Sequence, residues 1–149
     1  FLDYSRDPLG SSYHIRQVLL SLGSGRVFGV GLGQSKQKYE FLPEVSTDSI
    51  FAVIGEELGL VGGLAVIAVF YLFLRQGLAV AQSAPDSFGR NLALAITSWI
   101  SLQAFTNLAA MVALVPLTGI PLPFISYGGT SLVLVLLASG ILVNIASQS

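Results

Sequence analysis

Polar and apolar positions along this chain fall into blocks. Twelve of the fifteen formal charges lie at or before Glu57, and none lies after Arg90. Apolar residues dominate three stretches, at 49–74, 92–115 and 131–146. A helix needs about 20 mainly apolar residues to cross a hydrocarbon core roughly 30 Å thick, and the three stretches meet or approach that length. The pattern predicts an all-α polytopic membrane protein, with a polar segment at 1–47 and a membrane domain at 48–149.

Punctuation sharpens the boundaries. The first stretch opens after Pro43, with Thr47 and Asp48 as capping residues, and it is expected to stop at Arg75-Gln76-Gly77, a basic residue followed by a helix breaker. Inside it Gly55, Gly59 and Gly63 recur every four residues, so one helix face would admit another helix backbone. Residues 75–91 read as a connector in which Ser87 caps the next helix. That helix carries Ser98, Ser101, Gln103, Thr106 and Asn107, which should face protein or a wet cavity because lipid offers no hydrogen-bond partner.

Residues 116–130 hold three prolines and three glycines in an apolar context, which no regular helix tolerates. Irregular backbone at membrane depth survives only where protein covers it or a cavity is lined by it. The loop is therefore a candidate wall of an internal site.

Composition agrees with the pattern. The chain is 53% hydrophobic and 10% charged, with mean hydropathy +0.77, whereas soluble domains carry roughly a quarter charged residues. It has no cysteine and a single histidine, His14, which removes disulfides, thiolate nucleophiles and multi-histidine metal centres. A net charge of -1 gives no basic surface for nucleic acid. The positive-inside count around the first stretch is a tie, Lys36 and Lys38 against Arg75 and Arg90, so charge leaves orientation open. The chain does not begin with Met, and residues 1–17 lack the basic start and apolar core of a signal peptide, so it reads as a fragment.

Candidate chemistry gathers where the polar end meets the membrane. Glu40, Glu44 and Asp48 bring three carboxylates to the start of the first helix. A partly desolvated carboxylate beside a cavity suits a general base, and an aspartate at that position equally suits an N-cap. Glu56 lies about 12 Å further on by helical rise and about 80° around from Asp48, so it either lines the same cavity or pairs with buried groups; Glu57 projects to the opposite side. The glycine-rich run 23–36 lacks the Gly-Lys-Ser/Thr ending of a nucleotide-binding loop. Its backbone amides, with Lys36, Lys38 and Arg26, remain candidates for a diphosphate. His14 and Arg16 stand at no informative spacing.

The stretches 37–59, containing Phe-Leu-Pro-Glu-Val-Ser-Thr-Asp and Gly-Glu-Glu-Leu-Gly, and 121–131, Pro-Leu-Pro-Phe-Ile-Ser-Tyr-Gly-Gly-Thr-Ser, resemble the SEDS family of shape, elongation, division and sporulation proteins (FtsW/RodA/SpoVE). With Asp-Pro-Leu-Gly-Ser-Ser-Tyr-His-Ile at 7–15 and the run from Gly23 to Lys38, the resemblance covers essentially the whole chain. It implies the last three helices of a ten-helix fold, preceded by the large extracytoplasmic loop. Residues 1–47 and 116–130 would then lie outside the cytoplasmic membrane, and 75–91 inside.

The resemblance further implies a peptidoglycan glycosyltransferase that polymerises lipid II, working with a class B penicillin-binding transpeptidase and other divisome proteins. It makes Asp48 the catalytic base. Arg26, Lys36 and Lys38, with Glu44, Glu56 and the loop residues Pro121, Pro123, Ser126, Tyr127, Gly128 and Gly129, become candidates for substrate contact. A divalent cation, magnesium or manganese, would share the leaving-group charge, with no ligands assigned. The Gly-Gln-Ser-Lys-Gln-Lys run at 33–38 is more similar to the division branch, FtsW, than to the elongation branch, RodA. One departure stands out: the catalytic corner reads Ser46-Thr47-Asp48-Ser49 where relatives often carry His-Thr-Asp-Phe. A lipid flippase and a non-catalytic division scaffold are the competing readings, and the fragment alone is expected to be inactive.

Overall fold

The computed structural model describes residues 23, 25, 27–31, 50–116 and 119–148. Three helices make up the membrane domain: α1 Ile50–Ser83, α2 Ser87–Met111 and α3 Gly129–Ser147. Each is long and apolar enough to cross a membrane by length and composition. No strand occurs among the described residues. The helices run up, down and up, with α2 packed chiefly on α1 and α3 touching both more lightly.

The first helix runs well past its expected stop near residue 74. Gly77 sits inside α1 and is buried, because Thr97 of α2 is seated against it; a β-carbon there would stand 2.9 Å from the Thr97 β-carbon. Close contact between helices thus outweighs the intrinsic cost of glycine in a helix, about 1 kcal/mol. The connector shrinks to 84–86. Asp86 rather than Ser87 caps α2, its carboxylate accepting from the Gly89 amide at 3.1 Å.

The second departure lies at Gly59, whose backbone (φ 68, ψ −160) breaks α1. In a straight helix residues 51 and 63 would be separated by about 18 Å of rise. Instead the Phe51 ring lies 3.6 Å from where a Gly63 β-carbon would stand. Residues 50–58 therefore form a short helical arm folded back on the span, which extends for about 36 Å from Leu60 to Ser83. The glycine spacing does not make one continuous helix–helix face.

Two cores hold the bundle. At the end where α1 begins and α2 finishes, Phe51, Ala52, Phe70, Ala104, Leu108, Met111 and Leu122 pack together. At the other end Ala81, Ala93, Ile96 and Ile100 meet Val135, Ala138, Leu142 and Ile145 of α3. The polar face of α2 turns largely inward: Thr97, Ser101 and Asn107 are buried, and Gln103 and Thr106 half-buried. Ser98 is exposed on the described surface, one position round the helix from Thr97, which the sequence pattern passed over.

Candidate functional site

The first core lies where three pieces of irregular backbone meet: the break in α1, the glycine-rich loop and the proline-rich loop.

Breaking a helix strands its own polar groups. The carbonyls of Glu56 and Glu57 lose their i+4 amide partners at Gly59, and such groups are costly to bury unpaired. The glycine-rich loop supplies replacements. Val30 donates its amide to the Glu56 carbonyl at 2.9 Å, and Gly31 donates to the Glu57 carbonyl at 3.2 Å. The Val61 amide, displaced from Glu57, donates to the Val27 carbonyl at 3.3 Å. Glycine is required for this approach. A β-carbon on Gly29 (φ 78) would lie 2.7 Å from the Leu58 nitrogen, and one on Gly59 would lie 2.6 Å from the Val27 oxygen. A β-carbon on buried Gly25 would stand 3.0 Å from the α-carbon of Glu56. The amides of Val30 and Gly31 are thus committed to helix carbonyls and do not present an open anion nest.

The proline-rich loop descends into the bundle. The Asn107 amide donates to the Ile120 carbonyl at 2.7 Å, and the Gln103 amide to the Pro121 carbonyl at 3.0 Å. Gln103 lies eight residues before the end of α2, about 12 Å along the axis, so the loop is re-entrant. Its tip is a tight turn: Leu122 donates to Ser126 Oγ at 2.8 Å, and Ser126 returns its amide to the Leu122 carbonyl at 3.0 Å. Phe124 adopts a left-handed backbone (φ 65) and sets its ring edge-on to Phe73 of α1, centroids 6.0 Å apart.

The candidate residues distribute unevenly. Pro123 is fully buried beside Leu122, and the Pro121 carbonyl is held by Gln103. Ser126 shapes the turn, Gly128 is the N-cap of α3, and Gly129 is its first residue. Tyr127 is 80% exposed. Glu56 is 4% exposed, enclosed on the arm, while Glu57 is half-buried with Oε1 lacking a hydrogen-bond partner among the described residues. Asp48, Glu44, Arg26, Lys36 and Lys38 lie outside the described residues. Sequence reasoning missed Gln103 and Asn107 as anchors of loop carbonyls; their amide side chains eight and four residues before the helix end were the available signal.

Two apolar hollows border this region. One, of about 360 Å³, lies between Leu58, Val66, Phe70 and Phe73 of α1 and Phe124 and Ile125 of the loop. The other, about 380 Å³, occupies the crook of the arm, over Gly55, Gly59 and Gly63. Among the described residues no three carboxylate or imidazole side chains gather as a set for a metal ion.

The whole chain is matched among known proteins. The sequence model of the cell cycle protein family FtsW/RodA/SpoVE matches residues 1–149. The chain belongs to this family. Stage V sporulation protein E of Bacillus subtilis (strain 168) is 46% identical over 149 residues, covering 100% of this chain and 41% of the relative. The "Probable peptidoglycan glycosyltransferase FtsW" of the same strain is 51% identical over 126 residues, 85% of this chain and 31% of the relative. A solved structure described as "Structural coordination of polymerization and crosslinking by a peptidoglycan synthase complex" superposes with a TM-score of 0.74 at 27% identity, over 98% of this chain and 39% of that one. This FtsW/RodA/SpoVE chain therefore spans about a third to two fifths of the length of the relatives it matches.

Proposed function

We propose that the protein containing this chain is a peptidoglycan glycosyltransferase that polymerises lipid II during cell division. The observation that carries the reading is the identity of 45% over 148 residues, or 51% over 126, to relatives named as probable peptidoglycan glycosyltransferase FtsW. In this reading a sugar hydroxyl of one lipid II molecule attacks the anomeric carbon of another. The new glycosidic C–O bond forms as the bond to the lipid diphosphate breaks, the hydroxyl proton passes to the Asp48 carboxylate, and the diphosphate departs. Arg26, Lys36 and Lys38 counter its charge.

The arm that follows Asp48 in sequence and the loop carrying Pro121, Pro123 and Ser126 share one core, so the loop forms part of the cavity wall, with Tyr127 at its rim. The chain supplies the last three of ten helices in the cytoplasmic membrane, with 1–47 and 116–130 on the outer side and a class B transpeptidase as partner. The assignment to division rather than RodA-type elongation rests on the 33–38 run and on the FtsW relatives.

The test is reconstitution of the full-length protein with its transpeptidase and labelled lipid II, comparing wild type with Asp48→Asn. Loss of glycan with assembly intact supports the base; undiminished glycan sinks it and moves the search to Glu44 and Glu56.

One observation favours a second reading, a lipid flippase: α1 is broken at Gly59 and the 119–128 loop re-enters the bundle, discontinuities that suit a translocation path. Transfer of labelled lipid across the bilayer without glycan growth would establish it. Complementation of division by Asp48→Asn would instead indicate a scaffold.

A further inference from the structure

We propose that the 27–31 loop is a clasp that sets the angle of the arm 50–58, making Gly29 and Gly59 positioning residues for the reaction. The proposal rests on the reading of Asp48 as base, because Asp48 precedes the first residue of the arm by two positions.

The clasp is built from backbone alone. Its three cross-bonds, Val30 to Glu56, Gly31 to Glu57 and Val61 to Val27, straddle the break and tie the loop to both sides of it. A loop bonded only to the arm would travel with it, and one bonded only to the span would leave the arm free. Bonding to both fixes the angle between them. Gly29 and Gly59 have positive φ and no room for a β-carbon, so no other residue type reproduces the contact without moving one side of the break.

The arm's seat shows why its angle matters. Phe51 and Ala52 are packed in the same core as Met111 at the end of α2 and Leu122 of the re-entrant loop. Rotation about Gly59 would lift both from that seat and displace the end of the arm nearest Asp48 relative to the loop. Misplacing a catalytic group by about 1 Å can cost about a hundredfold in rate, while substrate held by the rest of the cavity would bind much as before. The expected signature is a fall in kcat with KM little changed.

The experiment uses the full-length protein with its transpeptidase in liposomes. Spin labels on cysteines at Ile54→Cys and Ala68→Cys report the arm angle, since a straight helix would put these positions about 21 Å apart along its axis and the folded arm brings them closer. Gly29→Ala, Gly59→Ala and Val30→Pro are compared with Gly23→Ala, a position where a β-carbon meets nothing within 4 Å. The first three should lengthen the label distance and lower kcat by about tenfold or more, with KM within about twofold; Gly23→Ala should change neither. A lengthened distance with full turnover, or lost turnover with the distance unchanged, overturns the proposal. Val30→Pro removes the amide donor to Glu56 at an exposed position, so it serves if Gly59→Ala fails to fold. Full activity of Asp48→Asn would remove the base reading, while the distances would still report on the clasp.

Discussion

The amide of Val30 points at the carbonyl oxygen of Glu56, 2.9 Å away, across twenty-six residues of sequence. That bond replaces one the helix would have made with itself, so the carbonyl stays paired although α1 is broken at Gly59. A helix broken at membrane depth is stable only when something else satisfies its carbonyls, and here a glycine-rich loop does so.

The contact between Gly77 and Thr97 governs how closely α1 and α2 approach. Gly77→Val should destabilise the bundle by about 1–3 kcal/mol through overpacking, measured by reversible unfolding in detergent or bicelles. Thr97→Ala in the same chain should recover part of the loss. A double variant no better than Gly77→Val alone would show that the two side chains do not meet.

The left-handed backbone at Phe124 sets two effects against each other. Phe124→Ala keeps the backbone cost and loses the ring contact with Phe73, worth about 0.5–1.5 kcal/mol beyond its buried area. Phe124→Gly loses the same ring but relieves a conformation that costs an L-residue about 1–2 kcal/mol. The glycine variant should therefore be the more stable of the two by about 1 kcal/mol in the same unfolding assay. The reverse order would mean that the loop tip does not hold this conformation.

Asp86 caps α2 through the Gly89 amide. Asp86→Ala should cost about 1 kcal/mol, and Asp86→Ser should restore most of it; equal stability of all three would assign the cap elsewhere. Because Asp86 is exposed, no packing change confuses the comparison.

Orientation is tested by labelling. With single cysteines in the full-length protein, Tyr127→Cys should react with an impermeant thiol reagent added outside intact spheroplasts, and Ser87→Cys only after lysis. The opposite pattern would reverse the proposed topology. Both positions are exposed on the described surface of this chain.

Much of this was legible along the chain. Long apolar runs report spanning helices because lipid forces the backbone to bond internally, and three prolines between 116 and 123 forbid a helix through that region. Gly77 misled, since glycine reads the same whether it ends a helix or admits a neighbour. Gly59 misled in the other direction, since a regular spacing of glycines does not tell a packing face from a break. Asn107 and Gln103 were read as polar residues needing partners, but the partners, carbonyls thirteen and eighteen residues away, exist only once the loop re-enters.

The sequence by itself determined the class of the protein, the existence and order of its helices, the irregular loop and the family, because these follow from local composition and from motifs contiguous in the chain. Tertiary structure decided where α1 bends, which residues end its helices, and which backbone groups the loops satisfy. Those outcomes depend on contacts between segments far apart in sequence, where a missing β-carbon on one strand of backbone matters only through the atoms of another that come to occupy its place.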